Sequence, residues 1–488
     1  MYENVLEGLK PEGLWQRFYE ISQVPRPSKK EEKILAYLKK LFGELNLQYK
    51  QDKRGSIVIR VPATPGYENA QTVVLQGHID MVCEKNKSTK HDFENDPIKL
   101  LRQDGWITAD GTTLGSDNGI GVAAALAIIT DKDAVHGPLE ILLTVDEETG
   151  LTGATDLKKG MISGKVLLNM DSEEDGAFYV GCSGGIDTVA EFKLELTTAP
   201  KGTEAYELLI TGLKGGHSGL DIHTGRANAI KIMGRALGRL STLNYSISNL
   251  EGGSLRNAIP READALILVK KSDVNKAKRI IKNFETDVHN EFKIADNNLK
   301  IEFKKTKKPA KKVFKKSFGT TIVNTLLSLP HGIISMSQEI SGLVETSTNI
   351  ATIHTKSKSL IIETSQRSSI DSTNQYIAKS VEALFKLAGA KVSTTDGYPG
   401  WTPDLDSKLL KLSKDVFKEL FNKEPEIKAI HAGLECGILE GKNPGMDIIS
   451  FGPTIQGAHS PDERVNIETV EKFYSLLKGI LRRLTDNN

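Results

Sequence analysis

The stretch Leu139–Gly150, LEILLTVDEETG, indicates the fold class, because an apolar strand leads into a run of acidic residues that includes the adjacent carboxylates Glu147 and Glu148. Two other apolar runs end in the same way: VVLQGH ends on His78, and VLLNMD ends on Asp171. Strands that alternate with helical stretches predict an α/β fold with a mixed, mostly parallel sheet covered on both faces. Ligands bind at the carboxyl ends of strands in such sheets, so we expect these side chains to converge there.

Two further segments carry metal-ligand chemistry in turns that contain glycine. GSDNGIG surrounds Asp117 and leads into an alanine-rich run that predicts a helix, and GAHSPDE surrounds His459. Together with the strand ends, these segments supply two imidazoles and several carboxylates. A catalytic zinc ion needs three protein ligands and an open position, and this set exceeds that number. The surplus predicts a two-metal hydrolase.

The pattern of strands and helices changes after about residue 187 and returns at Trp401. Between these points, strands alternate with helical stretches in a manner typical of an α+β unit with antiparallel pairing. Helices are predicted there at about residues 225–241, 273–290 and 373–388. The simplest interpretation is a discontinuous catalytic domain, residues 1–187 and 399–488, with a second domain of residues 188–398 inserted in it. Residues 464–485 predict a closing helix.

The global composition excludes several classes of protein. Among 488 residues, 39% are hydrophobic and 26% are charged, which is ordinary for a globular protein with sizeable cores. The net charge of +1 indicates neither a nucleic-acid nor a membrane partner. The first residues, MYENVLEGLKPEG, contain no apolar signal core, and the three cysteines lack a metal-binding spacing. We therefore expect a cytoplasmic, reduced enzyme.

His78 and Asp80 form an H-x-D pair at the end of a predicted strand. Residues i and i+2 of a strand share a face, so the carboxylate can fix the imidazole tautomer while the other ring nitrogen binds metal. Such a pair by itself is more often structural. Asp117 by itself is typical of a helix N-cap, although capping and metal bridging do not exclude each other.

The Glu147–Glu148 doublet is the stronger signal. Adjacent carboxylates at the end of an apolar strand repel, and burial raises that cost unless a metal ion or a proton compensates. One carboxylate can then ligate a metal while its neighbour acts as general base. The alternative interpretation is a solvated acidic turn.

Two other motifs are discounted. Residues 181–185, GCSGG, match the G-x-S-x-G nucleophile pattern, but that turn needs a following helix, and Ile186–Leu196 predicts a strand. The lysine-rich stretch Lys304–Lys316 contains few aromatic residues, which favours a solvated surface over a nucleic-acid site.

The inserted domain contributes weaker signals. His217 lies in KGGHSGLDIH, where glycines allow the backbone to approach a ligand closely. Arg367 and Asn257 follow predicted strands, and an arginine there would suit bidentate capture of a carboxylate.

Longer segments, in this order and with an insertion after the fourth metal segment, resemble a known family over nearly the whole chain. They are HDFENDPI, TTLGSDNGIG, VHGPLEILLTVDEETG, LNMDSEEDG, GCSGGID, LKGGHSG, LRNAIPRE, HAGLECG and GPTIQGAHSPDE. The chain is similar to the co-catalytic di-zinc exopeptidases, which include aminoacylases and dipeptidases, and within them to the bacterial aminoacyl-histidine dipeptidases.

The resemblance implies a role for each candidate residue. His78 and Asp171 would ligate one zinc ion, Glu148 and His459 the other, and Asp117 would bridge the two. Glu147 would be the general base, Asp80 would orient His78, and His217 would stabilise the oxyanion, in several relatives from the partner subunit. Arg367 would hold the substrate carboxylate, with Asn257 as a further candidate, and Glu435 would meet the substrate's free amino group.

The first hypothesis is therefore a dimeric, cytosolic di-zinc dipeptidase that cleaves unblocked dipeptides, including Xaa-His. Closure of the inserted domain as a lid would exclude water from the site. Cobalt or manganese can fit the same oxygen- and nitrogen-rich ligands. The alternatives are an N-acyl amino acid amidohydrolase on the same scaffold and a catalytically silent peptide-binding protein.

Overall fold

The computed structural model describes residues 5–308 and 310–486. Helices and strands are numbered here in chain order. The α-helices are α1 (Glu12–Ser22), α2 (Glu32–Glu44), α3 (Ser116–Ile128), α4 (Thr152–Asp156), α5 (Ala229–Leu240), α6 (Val274–Phe292), α7 (Lys316–Ser328), α8 (Asp371–Leu387), α9 (Lys408–Phe421), α10 (Glu435–Lys442) and α11 (Ile467–Asp486). The strands are β1 (Gln48–Gln51), β2 (Ile57–Val61), β3 (Val73–His78), β4 (Leu100–Gln103), β5 (Trp106–Ala109), β6 (Leu139–Thr144), β7 (Val166–Asn169), β8 (Ala177–Cys182), β9 (Gly184–Lys193), β10 (Leu196–Thr198), β11 (Thr203–Thr211), β12 (Gly216–His217), β13 (Tyr245–Gly252), β14 (Ala258–Ile259), β15 (Ala263–Lys270), β16 (Lys300–Lys305), β17 (Lys312–Phe314), β18 (Gly332–Met336), β19 (Val344–Thr355), β20 (Ser359–Ser368), β21 (Lys391–Thr394), β22 (Glu426–Ile430), β23 (Asp447–Ser450), β24 (Ile455–Gln456) and β25 (Arg464–Asn466).

The chain divides into two compact units. The first comprises the described residues of Met1–Gly181, Trp401–Ala429 and Leu434–Asn488, and the second comprises Cys182–Gly400 and Ile430–Gly433. These limits differ by a few residues from the domain boundaries predicted at 187/188 and 398/399. The short return of Ile430–Gly433 was not predicted; Ser183 N donates hydrogen bonds to Ile430 O at 3.1 Å and to Ala432 O at 3.0 Å, which joins this segment to the second unit.

The main sheet of the first unit has the strand order β1-β2-β6-β3-β7-β23-β8-β22. The four strands β6, β3, β7 and β23 pair in parallel, whereas β1 with β2 and β2 with β6 pair antiparallel. The predicted mixed α/β fold is therefore confirmed, with the parallel pairing confined to the centre of the sheet. All residues of β3, β6 and β7 are buried, as is usual for parallel strands covered on both faces.

The register of these central strands brings their carboxyl ends to one edge. His78 pairs with Thr144, and Gln76 pairs with Asn169. The residues that follow β6 and β7 therefore emerge beside the end of β3, which explains why the predicted ligands on all three segments meet.

A smaller sheet of the first unit, in the order β24-β25-β5-β4, holds the loop that contains His459. The sequence predicted a closing helix over 464–485, but the helix begins at Ile467, because Arg464–Asn466 pairs with β5 instead. The loop between β24 and β25 is thereby fixed at both ends to the same unit as the strand ends described above.

Phe178 lies in the aromatic core of the first unit. Its side chain is 1% exposed, and its ring centroid lies 5.8 Å from that of Phe451 and 6.1 Å from that of Phe417. We expect Phe178→Ala to lower the free energy of unfolding by about 3–5 kcal/mol, because the transfer energy of the ring is lost and a cavity is left behind. Urea unfolding measures the change, and Leu420→Ala, at a half-exposed position of the same unit, is the matched control. Equal destabilisation by both variants would contradict this description of the core.

The second unit is built on an antiparallel sheet in the order β16-β11-β15-β13-β19-β20-β9-β21, with β18 paired to β19. Buried residues of α5, α6, α7 and α8 pack with the sheet in one apolar cluster. Helix α7 was not predicted, although Phe318, Ile322, Val323 and Leu326 have helical spacing and are all buried.

The second unit contains the two motifs that were set aside in the sequence, the G-x-S-x-G pattern around Ser183 and the lysine-rich stretch Lys304–Lys316. Ser183 is fully buried and β9 begins at the next residue, so no helix follows the serine and the nucleophile pattern is accidental. In the lysine-rich stretch, Lys304 pairs with Glu302 at 2.7 Å and Lys305 pairs with Glu204 at 2.8 Å. Lys308 and Lys315 are likewise paired with Glu207 and Glu195, so four lysines of the stretch form surface ion pairs, and Pro309 lies outside the described residues. Among the described residues, the helices include none that is long and apolar enough to cross a membrane.

Candidate metal centre

His78, Asp117 and Asp171 form the first group of potential ligands, at the carboxyl edge of the main sheet. His78 Nε2 lies 3.0 Å from Asp117 Oδ1 and 3.4 Å from Asp171 Oδ1. The three ligand atoms lie within 4.8 Å of one another, which is the spacing that one metal ion requires.

Asp117, Glu148 and His459 form the second group. His459 Nε2 lies 3.2 Å from Asp117 Oδ2 and 2.9 Å from Glu148 Oε2, and these three atoms also lie within 4.8 Å of one another. Asp117 therefore turns one carboxylate oxygen towards each histidine. In this arrangement, Asp117 could offer one oxygen to each of two cations.

The donor set fits a pair of cations. Its ligand atoms are imidazole nitrogens and carboxylate oxygens, which suit zinc, cobalt or manganese. Glu148 Oε1 is buried and has no hydrogen-bond partner, which is costly for a carboxylate oxygen unless a cation lies against it. A separate acidic group, Glu31, Asp80 and Asp146, has another explanation, since Glu31 Oε1 accepts a hydrogen bond from Asp146 N at 3.1 Å.

Helix α3 approaches the strand ends closely enough to place Asp117 between the histidines. Asn118 Nδ2 donates to Met170 O at 2.6 Å. A methyl group at Gly121 would overlap Met170 O, and one at Gly77 would overlap the Asn118 side chain. The glycines at these two positions are therefore required for the close contact between α3 and the sheet.

Asp80 organises both His78 and the glutamate doublet. Its Oδ1 lies 3.3 Å from His78 Nδ1 and accepts a hydrogen bond from Glu147 N at 3.1 Å, while Oδ2 accepts from Glu148 N at 3.3 Å and from Ser28 Oγ at 2.7 Å. Asp80 is fully buried. Burial opposes ionisation, but the contacts with His78 and Ser28 hold the pKa of Asp80 below its usual value.

The site carries an excess of negative charge. Burial, reinforced by Asp171, Glu435 and Glu148, raises the pKa of Glu147 well above its ordinary value, and burial raises the pKa of Asp171 to about 6. Hydrogen bonds with Asp117 and Glu148 raise the pKa of His459 to about 11. Bound cations would compensate these carboxylates and reverse the shifts.

Glu435 starts α10 and lies beneath the same edge of the sheet. Its Oε2 accepts hydrogen bonds from Gln76 Nε2 and Thr144 Oγ1, both at 2.6 Å, and its Oε1 is buried without a partner. Burial raises the pKa of Glu435 to about 7. At 1% exposure, the carboxylate is more enclosed than the predicted contact with a substrate amino group suggested.

The other predicted site residues belong to the second unit. His217 Nδ1 accepts hydrogen bonds from Gly219 N at 3.2 Å and Leu220 N at 3.0 Å, which places the proton of the neutral ring on Nε2. Burial and the Arg367 charge lower the pKa of His217 to about 4. Asn257 is exposed, and its backbone carbonyl accepts a hydrogen bond from Ser218 N at 2.8 Å.

Two residues of the second unit that sequence reasoning missed lie near Arg367. Tyr398 OH accepts a hydrogen bond from Arg367 Nη1 at 2.8 Å, and His431 Nε2 lies 2.7 Å from Ser347 Oγ. Burial, Arg367 and His217 lower the pKa of His431 to about 3. His431 begins HAGLECG, a segment already noted in the sequence, whereas Tyr398 offered no signal.

Comparison with known proteins identifies the family. The sequence profile of peptidase family M20/M25/M40 matches residues 74–483, so the chain belongs to this family of peptidases. The membership of a peptidase family that the motifs predicted is thereby confirmed.

Individual relatives extend over almost the whole chain. The cytosol non-specific dipeptidase of Escherichia coli K12 is 42% identical over 480 residues, which cover 98% of this chain and 99% of the relative. The crystal structure of aminoacylhistidine dipeptidase from Vibrio alginolyticus is 41% identical, with 99% coverage of both chains and a TM-score of 0.89. An aminopeptidase, PepT, from Bacillus cereus shares the fold at 18% identity and a TM-score of 0.57, with coverage of 98% of this chain and 99% of its own.

Proposed function

We propose that this protein is a metal-dependent dipeptidase that hydrolyses unblocked dipeptides, including Xaa-His. One observation carries the proposal: Asp117 joins two ligand groups, beside the Glu147–Glu148 doublet, in a member of a peptidase family. The nearly full-length similarity to two bacterial dipeptidases supports the substrate class.

In this proposal, His78 and Asp171 would hold one zinc ion, Glu148 and His459 would hold the other, and Asp117 would contribute to both sites. When bound, the two ions supply Lewis acidity to the scissile carbonyl and to the attacking water. We propose zinc as the metal, with cobalt or manganese as substitutes that the same nitrogen and oxygen donors would hold.

Glu147 is the general base. Its carboxylate takes a proton from the attacking water as the carbon–oxygen bond forms, and delivers it to the leaving amine as the peptide C–N bond breaks. Asp80 supports this role, because the hydrogen bonds from the Glu147 and Glu148 backbone amides to Asp80 fix the doublet relative to His78.

The second unit supplies further roles. The neutral His217 ring, with its proton on Nε2, can donate to the oxyanion. Arg367 holds the substrate carboxylate, and Asn257 is a further contact. The remaining role falls to the first unit, where the buried Glu435 carboxylate, whose Oε1 has no hydrogen-bond partner, receives the free amino group. Dimerisation through residues 188–398, their role as a lid, and a cytoplasmic location are parts of the same proposal.

Arg367→Ala should raise KM for dipeptides about 10- to 100-fold with a smaller change in kcat, because a charge-assisted hydrogen bond contributes about 1.5–3 kcal/mol. Steady-state kinetics with a free dipeptide and its C-terminally amidated form test this assignment. The rise in KM should be confined to the free dipeptide. Arg256→Ala, which removes a half-exposed arginine paired with Asp187, is the matched control. An equal rise in KM for the amidated dipeptide would contradict a carboxylate-binding role for Arg367.

A mixed dimer tests whether His217 acts across subunits. Co-expression of His217→Ala and Glu147→Ala chains should restore activity, since one site of each mixed dimer would then contain both intact residues. Separately expressed variants provide the baseline. If mixed dimers form and none regains activity, the cross-subunit role is wrong.

The function itself is tested by a substrate panel. Purified protein should release free histidine from β-alanyl-histidine and cleave several plain dipeptides, but should leave N-acetylated amino acids intact. Cleavage of acetylated amino acids alone would favour the amidohydrolase. Absence of zinc-restored activity on every substrate would favour the silent peptide-binding protein.

A further inference from the structure

Glu463 makes an unusually dense set of contacts beside the metal centre. The residue is only 2% exposed. Its two carboxylate oxygens accept hydrogen bonds from four consecutive backbone amides and one hydroxyl. The donors are Leu114 N (2.7 Å) and Gly115 N (2.9 Å) to Oε2, and Ser116 N (2.7 Å), Ser116 Oγ (2.6 Å) and Asp117 N (3.3 Å) to Oε1.

These contacts join two ligand-bearing segments that are far apart in sequence. Glu463 belongs to the β24–β25 loop that also carries His459, and the amides it holds end at Asp117. Glu463 N donates to Ser460 O at 3.1 Å, and Glu463 O accepts from Thr108 Oγ1 at 2.8 Å. The backbone of Glu463 is therefore anchored to its own loop and to β5, while its side chain is anchored to the turn before α3.

Arg26 donates a hydrogen bond to a backbone carbonyl of the same turn. It is 3% exposed and donates to Gly115 O, to Ile79 O at 3.1 Å and to Asp80 O at 2.7 Å. The amides of the turn thus bind Glu463, while one of its carbonyls is linked through Arg26 to the segment that follows His78. The position of Asp117 is fixed from both directions.

We propose that Glu463 is a positioning residue that sets the distance between Asp117 and His459 and thereby the affinity of the second metal site. This inference rests on the ligand assignment of the proposed function. Loss of Glu463 should affect the two metal sites unequally. In the His459 group, two ligands lie on segments that Glu463 joins, whereas the His78 group shares only Asp117.

Glu463→Gln is an informative change, because both oxygens accept from backbone N–H groups. The amide nitrogen of glutamine must then face either the two donors to Oε2 or the three donors to Oε1, which pushes the turn and the loop apart. Glu140→Gln is the matched control in the same unit. Glu140 is also 2% exposed, and its Oε2 accepts from Ser163 N at 2.6 Å and Gly164 N at 3.0 Å.

The experiment titrates zinc into metal-free protein against a chromophoric chelator, and records the visible spectrum of the cobalt-loaded protein. Wild type should bind two ions. Glu463→Gln should weaken one site about 10- to 100-fold, as loss of a group that orients a ligand does, and should alter the cobalt spectrum. Glu140→Gln should leave both affinities and the spectrum unchanged. Unchanged metal binding in Glu463→Gln, or an equal loss in Glu140→Gln, would overturn the proposal.

Amide hydrogen exchange in the metal-free proteins provides a readout that needs no metal. Exchange at residues 114–117 should be slow in wild type and much faster in Glu463→Gln. If Glu463→Gln does not fold, the same zinc titration with Ser116→Ala tests the proposal, because this change removes one hydroxyl donor to the Glu463 carboxylate. A several-fold loss of zinc affinity at one site would support the positioning role of Glu463, and unchanged zinc affinity at both sites would overturn it. A wild-type protein that binds fewer than two ions would instead refute the proposed function.

Discussion

Glu147→Ala is expected to lower kcat for dipeptide hydrolysis about 10²- to 10⁴-fold, which is the contribution of a positioned general base. The fold and both metal sites should survive, because the ligand assignment places Glu148 on the metal and leaves Glu147 free for proton transfer. Kinetics on β-alanyl-histidine, together with the metal content of the same sample, measure both parts of the prediction.

Glu174→Ala is the matched control for this change. Glu174 is also an acidic residue after a central strand, but its carboxylate pairs with Lys428 at 2.6 Å and accepts from Tyr179 OH at 2.9 Å. Its removal should change kcat by less than about twofold, as surface ion pairs contribute little. Normal turnover by Glu147→Ala would show that another group takes the proton.

Asp117→Asn should have an even broader effect, since it replaces the only carboxylate shared by the two described ligand groups. The variant keeps one oxygen but presents an amide nitrogen to the other histidine, so at least one metal ion should be lost. A metal ion contributes several kcal/mol to catalysis, and each 1.4 kcal/mol is a factor of ten, so we expect kcat to fall by at least about 10³-fold.

Metal analysis after dialysis and steady-state kinetics measure the effect of Asp117→Asn. Asp131→Asn is a control of identical chemistry in the same unit, where the carboxylate accepts from Tyr474 OH at 3.1 Å and pairs with Lys478 at 2.9 Å. A variant of Asp117 that retains two ions and normal turnover would contradict the bridging role.

The strand-end part of the centre could be predicted from local sequence. His78, Glu147, Glu148 and Asp171 each follow an apolar run, and the register of parallel strands brings the ends of such runs together. The helix at Asp117 was equally visible, because an alanine-rich run follows it. These features depend on periodicity and strand polarity, which the sequence carries directly.

Contacts between distant segments could not be derived from periodicity. The distance from His459 to Asp117 depends on the pairing of β25 with β5, and this short strand was predicted as part of the closing helix. Glu463 lies in the polar stretch SPDER, which looks solvated, yet its carboxylate is buried against the turn before α3. Nothing in the local sequence distinguishes a buried capping carboxylate from an exposed one.

Helix α7 was missed for a different reason. Its apolar residues have helical spacing, but they directly follow a run of lysines that favoured a solvated surface. The structure shows that both features coexist, with Lys315 at the surface and Phe318 in the core.

Catalysis by this protein should require two metal ions in the groups that Asp117 joins. Stepwise addition of zinc to chelated protein tests this requirement, with bound zinc and histidine release from β-alanyl-histidine measured in the same samples. We expect no turnover without metal and full turnover as two ions per chain are bound. Full turnover by the metal-free protein would show that the metal ions are not required.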